Sequence, residues 1–387
     1  MKIHYIFLGL FVSIFNSCVK DEIGQFPTDS IPPGEVKSPE VKNVPGGAII
    51  SYIIPDDEDL LYVKAVYTLS NGKIMEQKAS AYTNSLKIEG FGKASEVAVT
   101  LIAGDRSKNE SKPVVVMAHS LDAPIYSIIK SVTVNSDFGG VRLDWQNPDE
   151  ADIVVCIITT DSIAGGFVTA ENFYSNAKIG RSNIRGYASE QRVFGVYLRD
   201  RWGNLTDTIK GTYLPLFEQE VTTYVRWNPP GIAYSQYGAA YAIEKLWDEN
   251  ILTFHLEITT GFPWSFTFDL GQTVKLSRIK QTQRQGAALI YTSQNVNRFQ
   301  IWVSVTPNVT DDFSGWIKIG DFEAAKPSGG PSGVNTAEDV AFAAAGEDFN
   351  IDPAAPAVRY IRYVVLDTWS HSTAWSISEL KFFGNIQ

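Results

Sequence analysis

The sequence predicts an all-β protein built as a string of three β-sandwiches, and three observations carry that expectation. A pattern of turns and strands recurs with a period of about ninety residues over the first half of the chain. Short alternating runs rich in Val, Ile and Tyr are bounded by Gly, Pro and Asp clusters, the punctuation of antiparallel strands and tight turns. Long apolar stripes at helical period are scarce: Ala239–Asp248 has room for one or two helical turns, and Pro327–Gly333 reads as a flexible loop. With 387 residues and 44% hydrophobic content, the chain can bury several separate cores.

The first seventeen residues, MKIHYIFLGLFVSIFNS, carry one Lys, an apolar run from Ile6 to Phe15 and small or polar residues before Cys18. That is the build of a signal peptide, too short to span a bilayer stably. Cys18 after Asn16-Ser17 resembles a bacterial lipobox, whose thiol receives diacylglycerol; simple cleavage near Ser17 is the alternative. Lys20-Asp21-Glu22 follows at once and resembles the signal that sends Bacteroidota lipoproteins to the outer face of the outer membrane. The expected location is therefore the cell surface, with the chain anchored in the outer membrane at Cys18, where each buried methylene adds about 0.8 kcal/mol. Residues 18–39, with Pro27, Pro32, Pro33, Gly34 and Pro39, read as lipidated Cys plus a semi-extended spacer. The other thiol, Cys156, lies in the apolar run Ile153–Ile158 and reads as a buried strand residue, so no intramolecular disulfide framework is expected.

Residues 40–120 and 121–220 form the two copies of the repeat. Gly46-Gly47 leading to Tyr52 and Pro55-Asp56 is echoed by Gly139-Gly140 leading to Trp145 and Pro148-Asp149. Asp105-Arg106-Ser107-Lys108-Asn109 is echoed by Asp200-Arg201-Trp202-Gly203-Asn204. The plan resembles the fibronectin type III and Ig-like sandwiches, in which a Trp on the second strand packs into the core. The second copy follows it closely, whereas the first has Tyr52 for the Trp and no Gly in its final turn. Boundaries are expected near Ser120–Pro124 and Leu214-Pro215.

Residues 221–387 are denser in aromatics, with longer loops. Their motifs come in the order of the discoidin, or factor 5/8 type C, group, which includes the family 32 carbohydrate-binding modules. Trp247-Asp248-Glu249-Asn250 with Thr253 resembles its early Asp loop, with Glu249 in place of a Gly. Phe268-Asp269-Leu270-Gly271, Arg298–Ser304 with Trp316, Arg359–Val364 and Ile377–Gly384 resemble its later strands. The resemblance implies a galactose-binding-like jelly-roll sandwich. It also implies a structural Ca²⁺ on Asp248, Asn250, Thr253 and Glu379, a set of oxygen donors suited to a hard cation. Equally open is that Asp248 merely turns the chain and Glu379 is a solvated edge residue. No other cofactor is expected.

A sugar site needs an aromatic face for the C–H surface of the ring and a few planar polar groups for hydroxyls. The loop candidates are Trp264, Arg284, Tyr291, Trp369, His371 and Trp375. For each of them packing is at least as good a reading. Trp247, Trp302 and Trp316 are expected in the core, and His255 in a strand.

The formal charge of −10 and the lack of a basic run exclude a polyanion partner such as nucleic acid. Four His leave little material for metal-hydrolase or triad chemistry, and no nucleophile elbow, phosphate loop or dinucleotide fingerprint occurs. The chain is thus expected not to be an enzyme. Over nearly its full length it resembles three-domain Bacteroidota lipoproteins of glycan-utilisation loci. The resemblance implies capture of a glycan for an outer-membrane import system, with a TonB-dependent importer and its lipoprotein partner as neighbours. The alternative is an adhesin or structural lipoprotein for a protein or other non-sugar ligand, since fold does not fix ligand. Beside such an importer the first two domains would serve mainly as a rigid spacer, and whether they also bind ligand is left open by the sequence.

Overall fold

A computed structural model describes residues 29–161, 165–227, 238–307 and 312–387. The expected signal peptide, Cys18 and Lys20-Asp21-Glu22 lie outside the described residues. The chain is an all-β, multidomain sandwich protein. It divides into two compact units: the residues up to Ser127 with Asp200–Thr206, and Ile128–Arg199 with Asp207–Gln387.

The first unit contains a seven-stranded sandwich. Strands β1 (Lys37–Val44), β2 (Gly47–Ile53) and β5 (Ser85–Glu89) form one sheet. Strands β4 (Ile74–Ser80), β3 (Leu60–Thr68), β6 (Ser95–Asp105) and β7 (Val114–Ser120) form the other. Alternation places Ala48, Ile50 and Tyr52 of β2 in the core opposite Val63, Ala65 and Tyr67 of β3.

The second sandwich repeats this order. One sheet is β12 (Ile179–Ile184), β9 (Gly140–Gln146) and β8 (Thr133–Asp137). The other is β11 (Phe167–Ser175), β10 (Ile153–Thr160), β13 (Arg192–Asp200) and β14 (Ile209–Tyr213). Val141, Leu143 and Trp145 point inward from β9, and Cys156 is a buried thiol on β10 whose pKa burial pushes up.

The C-terminal domain is a larger sheet assembly. Its strands are β15 (Gln219–Glu220), β16 (Val225–Arg226), β17 (His255–Ile258), β18 (Trp264–Thr282) and β19 (Val296–Ser304), then β20 (Ile317–Glu323), β21 (Glu347–Asn350), β22 (Val358–Thr368), β23 (Ala374–Ile377) and β24 (Glu379–Ile386). The order β15-β24-β18-β22-β19-β20 makes the main sheet, β16 and β21 also pair with β18, and β17 pairs with β23. Gly271 lies in β18 between the residues 264–269 that pair with β22 and the stretch from Val274 that pairs with β24, Val274 itself also still facing Val358 of β22. It sits at φ 77°, and a Cβ there would lie 2.6 Å from the Thr223 carbonyl oxygen. Between the layers lies an aromatic core in which Phe299 stacks on Tyr363 at 4.6 Å and Phe266 on Trp375 at 5.1 Å.

The expected helical turns near Ala239–Asp248 are the 3₁₀ segments Ala239–Tyr241 and Ile243–Trp247. A further helix, Ala337–Ala345, starts on a capping box in which Thr336 and Asp339 satisfy each other's backbone N–H.

Within the second unit a charge cluster joins the second sandwich to the C-terminal domain. The Glu218 carboxylate accepts from Arg185 Nη1 at 2.7 Å, Ser277 Oγ at 2.5 Å and Arg278 at 3.3 Å, while Arg185 Nη2 donates to Asn350 at 2.8 Å.

Candidate functional site

Three loops of the C-terminal domain meet at one end of its sheets. The loop before β18 is tied to the loop before β23 by Thr259, whose N–H donates to the Thr373 carbonyl at 2.9 Å. The loop between β18 and β19 is tied to the loop after β22 through Asn295. Its side chain accepts from the Arg284 N–H at 2.6 Å, and its carbonyl accepts from the Trp369 N–H at 3.0 Å.

The sequence candidates divide on this frame. His371 is 80% exposed at its side chain, and its Nδ1 lies 3.0 Å from both oxygens of Asp367. Burial raises the Asp367 pKa, but bonds from His371, the Thr368 N–H and Arg298 more than offset it and hold that carboxylate below its usual range. Arg284 is half-buried, with its guanidinium 4.1 Å from the centre of the Phe254 ring and no hydrogen-bond partner among the described residues. Trp369 is half-buried against Tyr291, ring centres 5.3 Å apart and edge to face, and its buried indole N–H has no acceptor among the described residues. Trp264 is half-buried and shares a hydrogen bond with Glu257, whose pKa burial pushes up to about 7.

Tyr291 and Trp375 do not fit the expectation that they contact sugar, because both are fully buried. Tyr291 packs under Trp369 and donates its hydroxyl to the Asp339 carbonyl at 3.3 Å. Trp375 is held between His255 at 4.9 Å and Phe266 at 5.1 Å. Of the Trp residues expected in the core, Trp316 is buried while Trp247 and Trp302 are half-buried. His255 is a buried residue of β17, as its alternating context suggested, and burial drives its pKa down to about 4. Phe254, the platform under Arg284, was not singled out from sequence. It lies half-buried just before β17, next to buried His255.

The four residues implied for a cation do converge. Thr253 Oγ1 donates to Asp248 at 2.8 Å, and the Asn250 N–H lies 3.1 Å from Asp248 and 2.8 Å from Glu379. Glu249 takes φ 59° in the wrap, the conformation that a Gly adopts without strain. Glu379 is buried, with Oε2 lacking a hydrogen-bond partner among the described residues. Its pKa is pushed up to about 7, first by burial, then by the neighbouring Asp248 carboxylate, against the opposing Asn250 N–H. Lys245 sits 2.9 Å from Asp248; with Thr253 and Asn250 it outweighs burial and holds that group below its usual range.

Fold and site together define a class: a chain of β-sandwiches whose last domain gathers aromatic, guanidinium and imidazole groups on loops at one end. Three family profiles match it in succession, each a domain of unknown function: DUF4959 over residues 33–120, DUF5126 over 121–223 and DUF5000 over 243–384. Among solved structures the chain is similar to a SusE-like protein, with 27% identity and TM-score 0.45, over 68% of this chain and 100% of that one. It is similar to the C-terminal domain of a chitobiase from Bacteroides fragilis, at 19% identity and TM-score 0.28, over 44% and 95% of the two chains. It is also similar to a chitosan-binding module of a chitosanase/glucanase from Paenibacillus sp. IK-5, at 15% identity and TM-score 0.28, over 42% and 96%. No curated protein matches the chain.

Proposed function

We propose that the chain is a non-catalytic, cell-surface glycan-binding lipoprotein that captures polysaccharide or oligosaccharide for an outer-membrane import system. In this reading Cys18 carries the lipid, the sandwiches at 40–120 and 121–220 carry the discoidin-like domain at 221–387 away from the membrane, and a TonB-dependent importer with its lipoprotein partner receives the glycan. The observation that carries it is Arg284, whose guanidinium lies over Phe254 with no hydrogen-bond partner among the described residues, in the loop cluster that also holds half-buried Trp369 and exposed His371. Planar donors beside an aromatic edge suit sugar hydroxyls and the C–H face of a ring.

Affinity electrophoresis of the mature protein against a polysaccharide panel tests this. At least one glycan is expected to retard the protein, and Arg284→Ala or Trp369→Ala is expected to weaken that retardation about tenfold. If all glycans are ignored while a pull-down recovers one specific protein, the chain is an adhesin instead.

A Ca²⁺ would be held by Asp248, Asn250, Thr253 and Glu379, as the orphaned Glu379 Oε2 and the wrap at Glu249 both suit one. It would neutralise the paired carboxylates and pin the 248–253 loop to β24, displacing Lys245 from Asp248. Thermal melts in Ca²⁺ and in EGTA decide this: the ion should raise the melting temperature, and Glu379→Gln should abolish the rise.

A further inference from the structure

A groove of about 430 Å³ lies within the second unit, floored by β9 and β12 and walled by the segment after β21. That size falls in the range of small-ligand sites. From the floor come Arg142, Arg181 and Asn183; Phe173 lies at one side, and Asn350 and Asp352 stand in the wall.

The two arginines are oriented by one carboxylate. Asp144 accepts from Arg142 Nε at 3.0 Å through one oxygen and from Arg181 Nε at 2.6 Å through the other. Each guanidinium is thus fixed by its Nε, and neither has a partner on its Nη groups among the described residues. Asn350 spends its carbonyl oxygen on Arg185, which leaves its amide NH₂ free. Asp352 uses one carboxylate oxygen for the Ala354 N–H at 2.8 Å and keeps the other. Two guanidinium forks, an amide donor and a carboxylate acceptor therefore meet beside a half-buried Phe ring. Two Arg and two Asp cancel in formal charge, so the groove has no net pull on an anion.

The sandwich fold does not require this arrangement, because the first sandwich shows what the same sheet holds without it. There β2 and β5 pair in the same register, yet Ile49 and Lys87 occupy the places of Arg142 and Asn183, while Ser51 and Ser85 replace Asp144 and Arg181. The walls are also set in advance, since the Glu218 cluster closes the seam and Arg185 holds Asn350. A preformed site loses less on binding than one that must be ordered.

We infer that this groove is a second saccharide site, taking a neutral sugar unit through the Arg142–Arg181 fork, Asn350 and Asp352, with Phe173 under its apolar face. The inference rests on the glycan-binding reading and changes the role of the second sandwich, from spacer to contributor. Two sites on one compact unit raise affinity for a polymer that can reach both.

The test is calorimetry on the full mature chain with starch, laminarin, galactomannan and xyloglucan, each as polymer and as oligosaccharide. For a glycan that binds, two sites are expected on the oligosaccharide. Arg181→Ala and Asp352→Ala should each leave one site and lower polymer affinity more than tenfold, and Arg284→Ala should remove the other. Arg181 is 56% exposed and Asp352 is exposed, so neither change threatens folding. If binding persists with both variants unchanged, the groove is not a site while the loop-end reading stands. If the unaltered chain binds none of the four, both readings fail. Binding of heparin that Arg181→Ala weakens would overturn the assignment to a neutral sugar.

Discussion

In the first sandwich Gly46 sits at φ 70°, and a Cβ added at Gly47 would lie 2.0 Å from the Ile88 carbonyl oxygen. In the second, Gly139 is at 66° and a Cβ at Gly140 would lie 2.0 Å from the Ile184 carbonyl oxygen. The closing turns agree as well. Asp105 accepts from the Asn109 N–H at 2.8 Å and its side-chain amide at 2.9 Å; Asp200 accepts from the same groups of Asn204 at 2.9 and 2.8 Å. The copies part company at the core position of the second strand. Tyr52 donates its hydroxyl to the Thr83 carbonyl at 3.0 Å, whereas the Trp145 indole N–H has no partner among the described residues and its ring fills the space over Gly180. Where a backbone passes close to another backbone the repeat is held fixed. Where a side chain can choose its neighbour, each copy has its own solution.

The largest effect should come from the shared glycine. Gly47→Ala and Gly140→Ala each push a methyl into a carbonyl oxygen of the neighbouring strand and should cost about 3 kcal/mol or more in denaturant unfolding. An unchanged midpoint in one copy would break the equivalence of the two turns. Next comes Gly180→Ala, whose Cβ would meet the Trp145 indole at 1.9 Å and cost roughly 1–3 kcal/mol by overpacking. Adding Trp145→Tyr should recover part of that loss, because the first sandwich is built on the smaller ring.

A smaller effect separates the sandwiches from the C-terminal domain, which buries Glu257 and half-buries Glu347, with pKa values raised to about 7 by desolvation. A carboxyl that binds its proton more tightly folded than unfolded stabilises the fold fully below its unfolded pKa, about 4.3, and loses that contribution as pH rises toward 7. Glu257→Gln can still accept from Trp264, so it should raise the melting temperature by a few degrees at pH 8 and leave it unchanged at pH 4. A gain of equal size at both pH values would sink this account.

The smallest effect belongs to the third residue after each turn Asp. Lys108 stands at φ 69° where the second copy has Gly203 at 85°. Lys108→Gly should be neutral or stabilising by up to ~1 kcal/mol, and Gly203→Ala destabilising by about 1 kcal/mol.

These same positions explain what the sequence made legible. Gly-Gly, the Asp…Asn turns and the alternation of β2 and β9 are local demands of the backbone, so they show in the letters. The wrap at residues 248–253 was likewise readable despite Glu249, because side-chain bonds from Asp248 and Thr253 hold a conformation that a Gly would otherwise supply. Burial of Tyr291 and Trp375 was not readable. Both lie in polar, Ser- and Thr-rich stretches, and what covers them comes from distant parts of the chain: Asp339 and Trp369 for one, His255 and Phe266 for the other. The helix at Ala337–Ala345 escaped notice for the opposite reason. Its five Ala give a weak apolar stripe, and only the capping box from Thr336 marks its start.

Strand β15, by which the chain comes into the C-terminal domain, pairs with β24, the domain's last strand, placing Gln219 opposite Gly384. The two ends of this domain are therefore neighbours in a single sheet. A domain with adjacent ends can be spliced into a surface loop of another protein without prising that loop open, or relinked end to end and cut elsewhere. This geometry makes the domain a transplantable cassette.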